Sequence, residues 1–234
     1  MDSAELYLRV RDKEGRLYTD QAVMHLPDSP AEHPHKIEWL ARADSTNRLI
    51  HYLMGLHSPL LVLELGCGNG WLSHNISAIP GMRIWGLDRG SLELTQAARL
   101  FSAPNTGFIS ANIFQSPFVN NSFDVIILAS VIQYFKDLPA LIVNLQSLLT
   151  KRGEIHLIDS PIYRKKDVIS ARERTVIYYN KLGFPKMADY YFHHTTDELN
   201  KFRTRWLYQP GGWQPRLTGL LGKTVSPFPW LYIR

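Results

Sequence analysis

Apolar and polar positions along the chain fall into stretches of two different periods, and the alternation between them predicts the elements. Over 37–54, Ile37, Leu40, Ala41, Leu49, Ile50, Leu53 and Met54 recur at helical spacing up to Gly55, which predicts a helix. A continuous apolar run over 60–65 predicts a first strand. A helix over 71–79 follows, stopped by Pro80 and Gly81, and then a strand over 82–87. Ser91 is the expected N-cap of a helix reaching about residue 101, and 106–111 reads as a third strand. The stretch 123–129, FDVIILA, has the unbroken apolar character of a parallel strand covered on both faces.

The next helix carries Leu138, Leu141, Ile142, Leu145, Leu148 and Leu149 on one stripe. Lys151 and Arg152 are expected at its negative end, with Gly153 as the stop, and a fifth strand is expected over 154–158. Beyond Asp159 the pattern loosens. A helix over 165–182, a short helix over 196–202 and two final strands over 205–208 and 230–233 are expected, with a long Gly- and Pro-rich loop over 209–229. Residues 1–35 are polar, end in Pro27, Pro30 and Pro34, and show no repeat. Strands alternating with helices predict an α/β fold with a parallel sheet and right-handed crossovers.

Between the first two strands lies the most informative segment, LVLELGCGNG over 61–70. A strand runs into an acidic residue and three alternating glycines, and the next strand closes on Asp88. This is half of a doubly wound nucleotide-binding fold. The glycines let the backbone turn sharply and approach a ligand, and three of them are entropically wasteful if only a turn is needed. Asp88 is placed to accept both hydroxyls of a ribose.

Composition narrows the setting. Hydrophobic residues at 45% and charged residues at 20% are ordinary globular values, and 234 residues suffice for one α/β domain with an extension. Cys67 is the single cysteine, so neither a disulfide framework nor a zinc spacing arises, and a reducing, cytoplasmic setting is expected. The first residues lack the apolar core of a signal peptide, and no stretch approaches the roughly 18 apolar residues of a membrane span. The net charge of +5 permits nucleic-acid contact without requiring it, and its basic clusters, Arg164 to Lys166, Arg172 with Arg174, and Lys201 to Arg205, read as solvated faces.

The segments ELGCGNG, LDRG, NIF at 112–114, FDVIILASVIQYF and GEIHLIDSP, in this order and spacing, resemble the class I S-adenosylmethionine-dependent methyltransferases. The resemblance runs from about 61 to 159. It implies a doubly wound, seven-stranded Rossmann-like methyltransferase sheet of order 3-2-1-4-5-7-6 with an antiparallel seventh strand. It also implies an N-terminal cap over 1–56, with a helical lid, on a domain over 57–234. S-adenosylmethionine would be the cofactor, with S-adenosylhomocysteine as product. Gly66, Gly68 and Gly70, with Cys67 as a small filler among them, would cradle its methionine end, and Glu64 would reach its amino group through water or backbone. Asp88 would hold the ribose, Arg89 would flank the adenine, and Asn112 with the Ile113 amide would read its amino group. Ala129 and Ser130 would line the methionine moiety, and Arg42 is a candidate for its carboxylate.

An NAD-dependent oxidoreductase is the main competitor. That fingerprint needs a small third residue, and counting from Gly66 or Gly68 puts Trp71 or Ser73 there. Glu64 would also repel a pyrophosphate. In the resembled family, enzymes that methylate base amines or glutamine carry an Asn- or Asp-Pro-Pro-aromatic motif after the fourth strand. This chain has ASVIQY, which resembles the branch acting on small molecules. A small organic acceptor methylated at oxygen is therefore expected, with nucleic acid an unlikely partner and a monomer or homodimer as the assembly. An RNA or protein methyltransferase and a non-catalytic cofactor-binding protein of the same fold are the alternatives.

For the substrate side, the segments flanking the core supply His33, His35 and Trp39, and Tyr163 with the run Tyr190 to His194. His35 and His193 are the candidate general bases, since imidazole titrates near neutral pH. His33, Trp39, Tyr134, Tyr163 and His194 are candidates for contact with the acceptor. No metal is expected, because the four histidines have no carboxylate at ligand spacing.

Overall fold

The computed structural model describes residues 3–89, 92–212 and 224–234. Seven strands, β1 (Leu60–Leu65), β2 (Met82–Asp88), β3 (Thr106–Ser110), β4 (Phe123–Ala129), β5 (Leu149–Ile158), β6 (Thr204–Tyr208) and β7 (Trp230–Ile233), form one sheet of order β3-β2-β1-β4-β5-β7-β6. Strand β7 runs antiparallel to both neighbours, and the pairings among β3, β2, β1, β4 and β5 are parallel. The order implied by the resemblance is the order found.

Among the described residues eight α-helices accompany the sheet: α1 (Ser3–Lys13), α2 (Asp20–Met24), α3 (Lys36–Met54), α4 (Trp71–Ser77), α5 (Leu92–Phe101), α6 (Leu138–Leu148), α7 (Val168–Leu182) and α8 (Thr196–Leu199). Strand residues alternate between two apolar layers, as a period of two requires. Val62, Val125 and Ile127 face Leu49 and Leu53 of α3 and Leu72 and Ile76 of α4. Leu63, Leu65, Ile126 and Leu128 face Leu138, Leu141, Ile142, Leu145 and Leu148 of α6. Both faces are thus covered, which is why β4 reads as an unbroken apolar run.

Three expectations need correction. Helix α6 ends at Leu148, and Lys151 and Arg152 lie in β5 rather than at a helix terminus. Gly153 stops no helix. It sits where the β4–β5 register shifts, and a Cβ there would meet the Phe123 carbonyl oxygen at 3.0 Å and the Leu149 side chain at 2.8 Å. The polar segment before Pro27 also contains α1 and α2. Leu6 and Val10, one helical turn apart, pack with Tyr179 of α7 and Met187 as a small separate core. The covering element at the ligand edge is therefore α1. Helix α3 is built into the main core through Leu49 and Leu53, while its first turns bring Glu38, Trp39 and Arg42 to the ligand edge. The expected N-cap Ser91 and residues 213–223 of the expected loop lie outside the described residues.

Candidate functional site

A cavity of about 420 Å³ opens at the carboxyl ends of β1, β2 and β4, the edge where doubly wound sheets place ligands. Its floor is the turn after β1. Gly66, Gly68 and Gly70 all adopt positive φ, at 77°, 50° and 76°. Their surroundings separate their roles. A Cβ on Gly66 would lie 2.3 Å from a Val131 methyl, and one on Gly70 would lie 2.7 Å from both Ala97 and the Phe108 ring. A Cβ on Gly68 would meet nothing nearer than Glu93 Oε1 at 3.8 Å, so this glycine keeps backbone open toward the cavity. Gly70 does not line the cavity; it seats the start of α4.

Asp88, the last residue of β2, ties this turn in place. Its carboxylate accepts the Gly68 N–H at 2.9 Å and the Arg89 N–H at 2.7 Å, and it still borders the cavity. Glu64 is buried at the end of β1, where Ser73 of α4 donates to it. Burial pushes its carboxyl up to about 7, against the Ser73 hydrogen bonds and with help from the nearby Asp88 charge. Burial likewise pushes the Cys67 thiol well above its usual range, so the residue is an inert filler of the turn.

The remaining cofactor candidates lie on the same wall. Arg89, Asn112, Ile113, Ala129 and Ser130 border the cavity, and Asn112 caps the short turn after β3 by accepting the Phe114 N–H at 3.1 Å. Arg42 enters from α3, where its Nε donates to Glu38 at 3.1 Å. Burial opposes ionisation of Glu38, yet the Arg16 and Arg42 guanidiniums hold its carboxyl down to about 2. Helix α1 closes the top, with Arg11 donating to the buried Glu93 at 2.7 Å. Tyr7, Arg11, Glu38 and Glu93 were not legible as site residues, because α1 is masked by its own charges and the others carry no motif.

A second cavity, of about 830 Å³, lies beside the first. Both are bordered by Tyr7, Arg42, Ser130 and Tyr134. At this junction Ser130 and Asp159, ending adjacent strands, both hold left-handed backbone at φ 56° and 54°. Ser130 donates its N–H to Ile158 O at 3.0 Å and its hydroxyl to Asp159 O at 2.8 Å, which holds the two strand ends in register. Strained backbone of this kind persists where surroundings over-determine it, commonly at functional sites.

The histidines go elsewhere. His35 precedes α3, and its Nε2 is 2.9 Å from the Glu14 carbonyl; His33 accepts the His35 N–H at 3.1 Å. His193 is buried with Nε2 2.9 Å from the Thr175 hydroxyl. His194 bridges the Ile132 carbonyl at 3.0 Å and the Glu198 carboxylate at 3.1 Å, so it clamps the turn that follows β4. None of the four borders either cavity, so the structure does not bring His35 or His193, the expected bases, to the cavity walls. Their pattern in the sequence reflects capping and clamping of loops. Among the acceptor candidates, Trp39 borders the first cavity, Tyr163 the second and Tyr134 both. Among the described residues no three His, Cys, Asp or Glu side chains converge as a metal site, and no helix is long and apolar enough to cross a membrane.

The family model described as "Methyltransferase domain" matches residues 56–203, more than half the chain. The chain belongs to the class I S-adenosylmethionine-dependent methyltransferases. Solved structures agree on the fold of this methyltransferase. The YcgJ protein of Bacillus subtilis is 15% identical with TM-score 0.60, over 82% of this chain and 98% of that one. Magnesium protoporphyrin IX methyltransferase of Synechocystis, solved with S-adenosylhomocysteine, is 17% identical with TM-score 0.58, over 95% and 91%. Geranyl diphosphate C-methyltransferase of Streptomyces coelicolor is 14% identical with TM-score 0.55, over 88% and 85%. No curated protein matches the sequence. The cofactor of this enzyme is S-adenosylmethionine.

Proposed function

We propose that this methyltransferase transfers the methyl group to an oxygen of a small organic acceptor seated in the second cavity. The observation that supports this reading is the shared wall of Tyr7, Arg42, Ser130 and Tyr134, across which an acceptor in the second cavity would meet the cofactor cleft. Two of the similar folds bear the names of small-molecule methyltransferases, which favours an acceptor of that size.

In this reading Asp88 accepts the ribose hydroxyls, and the backbone of Gly66, Cys67 and Gly68 cradles the methionine end beside Ala129 and Ser130. Arg42 takes the cofactor carboxylate and Glu64 its amino group, through water or backbone. Arg89 flanks the adenine, with Asn112 and Ile113 at its amino edge. The bound cofactor supplies an electrophilic methyl on a sulfonium. The chain supplies alignment: α1 and the turn after β4 fix the acceptor and exclude water, and proximity accounts for much of the rate. Titration calorimetry tests the first half directly. Micromolar binding of S-adenosylmethionine and S-adenosylhomocysteine is expected, with none of NADH; NADH binding alone would refute the assignment.

Glu64 gives this reading a pH signature. Its carboxyl titrates near 7 in the free protein, and a neighbouring ammonium favours the ionised form. Affinity for S-adenosylmethionine is therefore expected to rise between pH 6 and 8, by up to about tenfold per unit below the pKa. The stability of the free protein moves oppositely. A carboxyl whose folded pKa is raised stabilises the fold below its unfolded pKa, and that contribution is lost as pH rises through 7. Glu64→Gln should flatten both trends, and an unchanged pH profile of binding would remove Glu64 from the amino-group site.

A further inference from the structure

The nucleophile of an oxygen acceptor must lose its proton before or during transfer, so the second cavity can be searched for a group that takes it. Among the described residues no histidine borders it. Its carboxylates are Glu14, Glu38 and Asp159, and every one of their oxygens already has a donor. Glu14 holds Arg16 at 3.1 Å and the Tyr178 hydroxyl. Glu38 holds Arg16 at 2.9 and 2.7 Å and Arg42 at 3.1 Å. Asp159 accepts from Ser45 at 2.7 Å and from Ser226 at 3.2 Å, which ties α3 and the chain before β7 to the end of β5. Residues 213–223 contain no histidine, aspartate, glutamate, cysteine or tyrosine.

The same walls are rich in donors. Six of the chain's eleven tyrosines border this cavity: Tyr7, Tyr134, Tyr163, Tyr178, Tyr179 and Tyr191. At the junction with the cofactor cleft, the Tyr7 and Tyr134 rings meet edge to face at 5.2 Å, and neither hydroxyl has a hydrogen-bond partner among the described residues. Burial pushes the Tyr7 phenol up to about 12 and the Tyr134 phenol upward as well, so both stay protonated donors at working pH. Among the described residues, Arg174 on α7 borders the cavity without an ion-pair partner, whereas Arg11, Arg16 and Arg42 are each paired. A cavity of this size with aromatic walls suits a planar apolar body.

From this juxtaposition we infer that the acceptor is an aromatic carboxylic acid and that its carboxylate is the atom group methylated. The inference rests on the cofactor reading of the first cavity. A carboxylate is already an anion at neutral pH, and the paired phenols donate to one oxygen while the other faces the methyl group. The carboxylate oxygen forms the bond to the methyl carbon as the carbon–sulfur bond breaks. The bonding pair stays on sulfur as a neutral thioether, the product is a neutral methyl ester, and no proton moves. No base is needed, which accounts for a cavity that lacks a free one.

The test uses the full chain saturated with S-adenosylhomocysteine and three probes, 2-naphthoate, the isosteric neutral 2-naphthamide and cyclohexanecarboxylate. Calorimetry or fluorescence titration should show 2-naphthoate binding about tenfold tighter than either of the others, the size expected of charge-assisted hydrogen bonds. Tyr7→Phe combined with Tyr134→Phe should reduce the preference over the amide to less than about threefold, with S-adenosylhomocysteine affinity recorded alongside. The amide binding as tightly as the acid in the unmodified protein would overturn the inference. So would no probe binding to a protein that does bind S-adenosylhomocysteine, and then the cofactor reading would stand. Failure to bind S-adenosylhomocysteine would overturn both.

Discussion

Replacing Asp88 by alanine is expected to weaken S-adenosylmethionine binding by about 1–3 kcal/mol, roughly 5- to 150-fold, the value of charge-assisted hydrogen bonds lost from a ligand. Two contributions combine. The carboxylate is the candidate acceptor for both ribose hydroxyls. It also receives the Gly68 and Arg89 N–H groups, so its removal loosens the turn that faces the methionine end. Asp88→Asn separates them, because an amide oxygen retains one acceptor but cannot serve the backbone and a ribose together. Its affinity should fall between those of the parent and the alanine variant. Calorimetry with S-adenosylhomocysteine, with a melting curve to confirm folding, measures both. A folded Asp88→Ala protein with parental affinity would move the ribose elsewhere.

Gly66→Ala should damage the fold itself. The residue holds φ 77°, which costs an L-residue about 1–2 kcal/mol. The new methyl would also lie 2.3 Å from a Val131 methyl, and such overpacking adds about 1–3 kcal/mol. A total loss of roughly 2–5 kcal/mol should appear as a lower midpoint in urea unfolding. Val131→Ala in the same chain removes the methyl at 2.3 Å but leaves its own Cβ at 2.9 Å and the backbone cost in place, so it should recover less than half of the loss. Gly68→Val provides the contrast. At φ 50° valine also incurs the left-handed backbone cost, but space is open around that position and no overlap is added, so its ligand affinity should collapse while the sheet persists. Equal destabilisation by both changes would contradict the division of roles between the two glycines.

What the chain alone determined is concentrated where local pattern and burial agree. β1, β4 and β7 lie where their apolar runs place them, since strands covered on both faces must be apolar throughout. The glycine turn and Asp88 were legible because backbone geometry at a ligand restricts residue type very tightly. The cofactor-site candidates Glu64, Arg42, Asn112 and Ser130 accordingly converge on one cavity, and Gly70 is displaced from it only by its packing duty at the start of α4.

Tertiary structure decided the rest. Helix α1 covers the cleft with few apolar residues, because Arg11 pairs with Glu93 across a sequence distance that no local pattern reveals. Lys151 and Arg152 look like the end of a helix, yet the register shift against β4 extends the strand through them, with Gly153 admitting the close approach of the Phe123 carbonyl. The histidines illustrate the limit most clearly. Their spacing among aromatics suggested acid–base chemistry, but an imidazole serves a backbone carbonyl or a hydroxyl equally well, and the fold gives those partners to His35, His193 and His194. Sequence names the groups that chemistry can use, while the partners each group finds in three dimensions fix whether it stays free to act.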